Sequence, residues 1–372
     1  MNILILSWRG PGHTNEGGAE YVTHKHATAW VKAGHCVTLF TSMYSGAKEK
    51  EEIEGIEIIR RGEQNFGVKI WAFVWYVFEA HPNYDLVVDH FHGIPFFTPL
   101  YVRSKKLGFI HEVAKEVWRL NPWPKPLNLL PWILGGLLEK FIFLLYRRVP
   151  FITVSNSTRD DLLKWGISRK KISVIHNGIE KPKVDFVKKN KRKTAIYLGA
   201  LAKDKGIEDA LQVFRLLKDK KSGWSFLVAG RSDQHYNRFL SDFVRKNNLE
   251  KELEYFGFVS ERKKYELLSK AHVLVNPSTR EGWGLVNLEA NSVGTPVVGY
   301  DVPGVRDSVV HNKTGILCKQ KSPVCLAENA DDLLNDNKRY ERMNFNAKKW
   351  SAKFGWEKSV AKSLEIIENI VV

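Results

Sequence analysis

The chain has 372 residues, which suits two domains of ordinary size better than one. Its apolar fraction of 44% and charged fraction of 26% are typical of a globular protein and argue against a disordered or fibrous one. The formal charge of +16 is compatible with nucleic acid or an anionic membrane, but no zinc finger, repeat or basic-aromatic RNA motif is present, so a nucleic-acid function ranks last.

The beginning of the chain predicts a buried strand and no secretory signal. The apolar run after Met1 and Asn2 is short and has no basic flank. The three cysteines (Cys36, Cys318 and Cys325) have neither the even number of a disulfide framework nor the spacing of a metal site. We therefore expect a cytoplasmic protein with reduced cysteines.

Strands and helices alternate along the first half. A strand at residues 3–7 precedes a glycine-rich loop at 10–18 and a helix from about 19 to 33. Further strands are predicted at residues 36–41, 85–89, 107–111, 151–155 and 172–175. This alternation predicts a parallel sheet with helices on both faces, in a domain at residues 1–180.

Residues 122–150 are unusually apolar, but Pro131, a Gly-Gly pair and a Glu-Lys pair interrupt them, so they do not predict a membrane span. A buried helix is expected at residues 138–146. The Trp- and Pro-rich part is compatible with a buried helix or with interfacial membrane contact, in which Arg147 and Arg148 hold lipid headgroups. The aromatic run at residues 71–78 could join that contact or lie in the core.

The second half begins after a basic linker at residues 181–193. Strands are predicted at residues 195–199, 224–230, 253–256, 271–275 and 295–299, and helices at 206–218, 236–247 and 265–269. They predict a second α/β domain at residues 194–352. The end of the chain, from residue 356, is helical with apolar residues at helical spacing.

Residues 276–299 are the most informative segment. Glu281 and Glu289 lie eight positions apart around a Gly282-Trp283-Gly284 turn that opens a helix after a strand. A helix N-terminus presents free amides to a phosphate, while carboxylates accept hydrogen bonds from hydroxyls. A diphosphate together with hydroxyls describes a nucleotide sugar.

This segment resembles the donor-binding signature of the family 4 retaining glycosyltransferases. The resemblance implies a GT-B fold, with two Rossmann-like domains facing across a deep cleft and the C-terminal helix (residues 353–372) returning to the first domain. It places Glu281 near the transferred sugar and Glu289 on the ribose hydroxyls. The turn would contribute amides to sugar and phosphate from Gly282, Trp283, Gly284, Leu285 and Val286.

The resemblance extends to the first domain. A Gly-Gly-Ala-Glu loop matches at Gly17 and Gly18, which the family places over donor phosphate and acceptor, with His13 as an acceptor-side candidate in the same loop. The family's acceptor-side histidine falls on His90 or His92, of which His92, beside a glycine, is preferred. His111, after the next strand, is a third candidate.

Residues 195–206 resemble the family's phosphate-contacting loop. Its lysine is present as Lys205, but Ala200 stands where the family has an arginine. Either Lys203 or Arg231 replaces that cation, or the donor binds differently. The nucleobase is expected near Gly230 and Phe258.

No Asp-x-Asp motif or metal-ligand cluster is present, so transfer without a metal ion or other cofactor is expected. The resemblance implies retention of the anomeric configuration, with Glu281, His92 and Lys205 as catalytic residues. The expected enzyme moves a hexose, with mannose slightly preferred, to a saccharide or lipid-linked acceptor, at the inner face of the plasma membrane if it binds an anionic surface. The alternatives are a catalytically silent sugar-nucleotide-binding protein and an epimerase of the same architecture.

Overall fold

The computed structural model describes residues 1–114, 129–180, 188–220 and 223–371, with only the backbone of Pro131 and Trp132. The chain forms two compact units, one of Met1–Gly178 with Trp356–Val372 and one of Ile179–Gly355. The Trp-rich residues 122–128, expected to contact a membrane, lie outside the described part. So do residues 181–187 of the basic linker.

The first unit is built on one sheet. Its described strands are β1 (Asn2–Leu6), β2 (Cys36–Thr41), β3 (Lys50–Ile53), β4 (Ile56–Arg60), β5 (Leu86–Phe91), β6 (Lys105–Ile110), β7 (Phe151–Thr153) and β8 (Ile172–Val174). They lie in the order β3-β4-β2-β1-β5-β6-β7-β8, and the β3–β4 pair is antiparallel. Central β1 is a continuous apolar run because both of its faces are covered, as is usual in parallel sheets. The charged edge strand β3 lacks that pattern and was not predicted.

The described helices of the first unit are α1 (Gly18–Lys32), α2 (Gly67–Phe78), α3 (Leu129–Leu145), α4 (Asn156–Lys164) and α12 (Trp356–Val371). The C-terminal α12 packs on α1, where the Ser363 hydroxyl lies 2.8 Å from His26 Nδ1 and accepts a hydrogen bond from Trp30 Nε1. This confirms the predicted return of the last helix to the first domain.

Helices α2 and α3 pack on the same face of the sheet. Val87 and Phe91 alternate along β5 toward that face, where Val87 packs with α2 and Phe91 with α3. The predicted burial of residues 138–146 is wrong for Phe141 and Leu144, which are largely exposed. The helix turns only one side to the sheet, and that side carries Phe143 and its buried neighbours.

The second unit repeats the α/β pattern with a sheet that is parallel throughout its described strands. These are β9 (Lys193–Leu198), β10 (Trp224–Ala229), β11 (Leu253–Tyr255), β12 (Val273–Asn276), β13 (Val297–Tyr300) and β14 (Gly315–Cys318), in the order β11-β10-β9-β12-β13-β14. The helices are α5 (Ile207–Lys218), α6 (Gln234–Lys246), α7 (Glu261–Lys270), α8 (Leu285–Ser292), α9 (Val305–Ser308), α10 (Pro323–Asn335) and α11 (Asn337–Ser351). The predicted α/β class with two parallel sheets is confirmed, except that β3 of the first unit runs antiparallel to β4.

The prediction of unpaired cysteines is wrong for two of the three. Cys318 at the end of β14 and Cys325 in α10 form a disulfide, with their Cα atoms 6.3 Å apart. Their spacing resembles no disulfide framework because the turn between strand and helix, and not a repeat, brings them together. Within the described ranges, no helix combines the length and apolarity that crossing a bilayer requires.

Candidate functional site

In the second unit, two loops at the carboxyl edge of the sheet meet through an ion pair. Lys205 Nζ, just before α5, lies 3.0 Å from Glu281 Oε2 in the loop after β12. The Ser278 hydroxyl donates to the other carboxylate oxygen at 2.8 Å. The side chains of Lys205 and Glu281 remain 30% and 16% exposed, so both are accessible to a ligand.

Two glycines allow these loops to approach so closely. A Cβ on Gly206 would lie 2.2 Å from the Pro277 carbonyl oxygen, and one on Gly304 would lie 2.0 Å from that of Glu281. Both glycines also have positive φ, at 72° and 79°. No other residue type fits at either position, so the backbone itself sets the distance between Lys205 and Glu281.

The turn Gly282-Trp283-Gly284 leads directly into α8. Gly284 has φ of 76° and precedes Leu285 and Val286, whose amides lie in the first helical turn. The Trp283 side chain is buried, and its ring centroid lies 5.2 Å from that of Phe354. The turn is therefore anchored through its tryptophan, while α8 provides the partial positive charge of a helix N-terminus.

The second signature carboxylate lies within α8. Glu289 Oε1 is 2.7 Å from Lys264 Nζ of α7. Burial raises the pKa of Glu289, and the Lys264 ammonium opposes that increase. Lys264 was not predicted from the sequence, because its relationship to Glu289 arises only from the packing of α7 on α8.

The neighbouring strand ends contribute a cation and an aromatic ring to the same edge. A Cβ on Gly230 would lie 1.7 Å from the Gly199 carbonyl oxygen, so the ends of β9 and β10 touch. Leu201, next to the exposed Ala200, donates its amide to the Arg231 carbonyl oxygen at 2.8 Å. The Arg231 guanidinium lies 4.4 Å from the ring centroid of Phe258, a side chain that is 69% exposed.

In the first unit, the glycine loop is held by a buried carboxylate whose role was not assigned from the sequence. Glu20 accepts hydrogen bonds from Trp8 Nε1 at 3.1 Å, Arg9 Nε at 3.0 Å and the Gly17 amide at 2.7 Å. Gly17 and Gly18 remain exposed. The capping-box position of Glu20, three residues after Gly17, was the available signal.

The histidine candidates of the first unit gather at the carboxyl ends of β5 and β6. The half-buried His92 ring stacks on Trp8 at 4.9 Å and lies 6.1 Å from His111. His90 is buried against Phe109 and lies 3.2 Å from the Thr23 hydroxyl. Burial lowers the pKa of His90 and His92 well below the usual value and that of His111 to about 4. These rings are therefore neutral near pH 7.

His13 has a local role in the loop. Its ring is buried beside Tyr44, and its Nδ1 accepts a hydrogen bond from the Asn15 amide at 3.0 Å. Burial, together with the Arg9 charge, lowers the pKa of His13. Across the ranges that the structure describes, no three His, Cys, Asp or Glu side chains form a group suited to a metal ion.

Two family models match successive parts of this chain. Residues 16–181 match "Glycosyltransferase Family 4", and residues 179–350 match "Glycosyl transferases group 1". The chain belongs to the family 4, or group 1, glycosyltransferases. The structure of sucrose-phosphate synthase from Thermosynechococcus elongatus aligns over 99% of the glycosyltransferase and 98% of that chain, with a TM-score of 0.81 at 18% identity. This match confirms the GT-B prediction of two Rossmann-like domains.

Among curated relatives, the glycosyltransferase is 25% identical to the glycogen synthase of Mycobacterium tuberculosis, over 96% of this chain and 92% of that protein. It is 34% identical to the O-antigen chain mannosyltransferase RfbU of Salmonella typhimurium, over 41% of this chain and 42% of that protein. These relatives differ in the glycans that they build, so family membership leaves donor and acceptor open.

Proposed function

We propose that this glycosyltransferase moves a hexose from a nucleotide diphosphate sugar to a saccharide or lipid-linked acceptor, with retention of anomeric configuration. The observation that carries the proposal is the ion pair between Lys205 and Glu281 beside the first turn of α8. It joins a cation for the diphosphate, a carboxylate for sugar hydroxyls and a helix N-terminus at one edge of the sheet.

The diphosphate would be neutralised by protein groups. Lys205 and the α8 amides are the first candidates for this role. Arg231, whose carbonyl oxygen accepts the Leu201 amide beside Ala200, would supply the guanidinium that is missing at position 200. Preorganised donors of this kind stabilise charge that develops on a leaving group. We propose that transfer needs no metal ion and no other cofactor.

In the proposed step, the acceptor hydroxyl attacks the anomeric carbon on the face from which the nucleotide leaves. The C–O bond to the nucleotide breaks as the new glycosidic bond forms, and the hydroxyl proton passes to the departing phosphate oxygen. Glu281 would stabilise the oxocarbenium-like sugar, while Glu289 would hold the ribose hydroxyls. His92 is the proposed acceptor-side group, and Gly17 and Gly18 would lie over the donor phosphate and the acceptor.

Product stereochemistry tests this mechanism. NMR of the product formed in the presence of EDTA should show the donor's anomeric configuration. An inverted product, or a strict need for added metal, would contradict the mechanism. Donor hydrolysis without acceptor, lost in Glu281→Ala, would separate the enzyme from a silent sugar-nucleotide-binding protein. That alternative is favoured only by Ala200. Interconversion of UDP-sugars without acceptor would instead indicate an epimerase.

Among the donor sugars we propose mannose, by a slight preference. The mannosyltransferase RfbU supports it, as one relative among several that build other glycans. A thermal-shift screen of GDP-mannose, UDP-glucose, UDP-galactose and UDP-N-acetylhexosamines decides the donor, because a ligand that binds the folded state stabilises it by mass action. Stabilisation by GDP-mannose alone supports the preference, and stabilisation by a UDP-sugar alone overturns it.

We also propose peripheral contact with an anionic membrane, at the inner face of the plasma membrane, through the first unit. The outer sides of α2 and α3 expose large apolar residues: Phe66, Ile70, Trp71, Phe73, Val77, Phe78, Leu129, Leu130, Ile133, Leu134, Leu137, Phe141 and Leu144. Exposed apolar surface of this extent is unusual away from interaction sites. Sedimentation with vesicles tests this contact, and Phe141→Glu should abolish it.

A further inference from the structure

The first unit contains a cavity that lies at the opposite ends of the strands from its glycine loop. It has a volume of about 1010 Å³, and its lining includes Asp85, Lys105 and Pro150. These residues stand at the amino ends of β5, β6 and β7, whereas His92 and the glycine loop follow carboxyl ends. The cavity and the glycine-loop site therefore lie at opposite ends of the strands of one sheet.

The cavity is strongly basic. Arg103, Lys105, Lys106 and Arg148 line it. Among its described lining residues only Asp85 carries a carboxylate, which already accepts a hydrogen bond from the Asn2 backbone amide at 2.8 Å. Lys106 donates to two backbone carbonyl oxygens at its rim, those of Val102 and Ser104. Throughout the described part of the chain, Arg103, Lys105 and Arg148 have no acidic partner.

Apolar surface flanks the cavity on both sides. Crossover helices run antiparallel to the strands that they connect, so α2 and α3 both end at this edge. Leu145 at the end of α3 lines the cavity. Near the end of α2, the Tyr76 hydroxyl lies 3.5 Å from the hydroxyl of Ser104, which also lines the cavity. Between the helices, the turn Thr98–Leu100 exposes Leu100.

We propose that this cavity binds the phosphate of an anionic phospholipid while the outer sides of α2 and α3 contact the bilayer. This proposal rests on the membrane contact proposed above and adds a specific headgroup site to it. The occupant follows from complementarity. Cations that have no acidic partner among the described residues suit a phosphate, and the apolar helices on both flanks suit acyl chains and not a soluble metabolite. The carboxyl edge of the sheet then stays available for the acceptor.

Neighbouring arginines provide a matched test. Arg147 and Arg148 are both exposed, but only Arg148 lines the cavity. Full-length protein is sedimented with vesicles of phosphatidylcholine alone or mixed with phosphatidylglycerol. Arg148→Gln should weaken binding to the anionic vesicles by more than about tenfold, because it removes a charge-assisted contact to phosphate. Arg147→Gln should lose at most about fivefold, the effect of one basic residue near a charged surface. Melting temperature and donor hydrolysis in solution should be unchanged in both variants.

The other outcomes of the vesicle experiment distinguish the headgroup site from its alternatives. Equal losses in Arg147→Gln and Arg148→Gln would indicate diffuse attraction and overturn the site, as would no loss in either. If glycerol 3-phosphate raises the melting temperature of the protein and vesicle binding does not depend on Arg148, the cavity binds a soluble ligand. That result would also overturn the headgroup site. If Phe141→Glu leaves vesicle binding intact while Arg148→Gln weakens it, the apolar contact fails and the headgroup site stands.

Discussion

Lys205 Nζ and Glu281 Oε2 lie 3.0 Å apart although 76 positions separate the two residues in sequence. One belongs to the loop that opens α5, and the other to the loop between β12 and α8. The pair holds a cation and a carboxylate ready at the place where a diphosphate and its sugar are proposed to bind. Preorganisation of this kind lowers the entropic cost of binding.

Replacing Lys205 should weaken donor binding. Lys205→Met removes a charge-assisted contact to phosphate, and the expected loss of affinity is about 10- to 100-fold, with Lys205→Arg losing less. Calorimetric titration with the nucleoside diphosphate measures the change. Lys313→Met, on an exposed surface of the same unit, is the control. An unchanged dissociation constant in Lys205→Met would remove the lysine from the site.

The missing family arginine can be restored. If Arg231 substitutes for it, Arg231→Gln should weaken nucleotide binding about tenfold, and adding Ala200→Arg to that variant should recover most of the loss. Ala200 is exposed, so the new side chain has room. Failure of the double variant to recover affinity, measured by the same titration, would mean that the donor lies elsewhere.

The buried Glu20 carboxylate should be needed for the stability of the first unit. Glu20→Gln places an amide NH₂ among three donors, so at least one hydrogen bond from Trp8, Arg9 or Gly17 is lost, at a cost of about 1–3 kcal/mol in the free energy of unfolding. Glu52→Gln, an identical change on exposed β3, should stay within about 0.5 kcal/mol. Urea unfolding compares the two variants, and equal stability would contradict the assigned role.

Acid should destabilise the first unit through its buried histidines. Burial lowers the pKa of His111 from 6.5 to about 4 and that of His26 to about 3. Below pH 6.5 the unfolded chain takes up these protons and the folded chain does not, so stability is fully present above pH 6.5 and falls toward pH 4. The slope is about 1.4 kcal/mol per pH unit for each such histidine.

Melting temperatures between pH 7.5 and 5 measure this slope. His111→Gln should flatten it, because one neutral buried imidazole is removed, whereas His235→Gln on the surface should leave it unchanged. A slope that is identical in His111→Gln and the parent protein would show that the imidazole is protonated in the folded state.

Local features were predictable from the sequence where one segment determines them. The α/β alternation and the strand-turn-helix unit around Gly284 follow from hydrophobic period and from glycine positions, which act over a few residues. The edge strand β3 escaped prediction because its charged residues give no periodic signal. The Cys318–Cys325 disulfide was not predicted because the turn from β14 into α10, which no cysteine pattern marks, brings its sulfurs together.

What the sequence alone determined was therefore the alternation of strands and helices and the chemical type of each loop. Tertiary structure decided which side chains meet: Lys205 with Glu281, Lys264 with Glu289, and Glu20 with Trp8. It also decided that the outer sides of α2 and α3 stay exposed beside a basic cavity. The physical reason is the distance along the chain over which each interaction acts. Hydrogen-bonding and steric preferences of the backbone act between sequence neighbours, whereas ion pairs and burial depend on residues that only folding brings together.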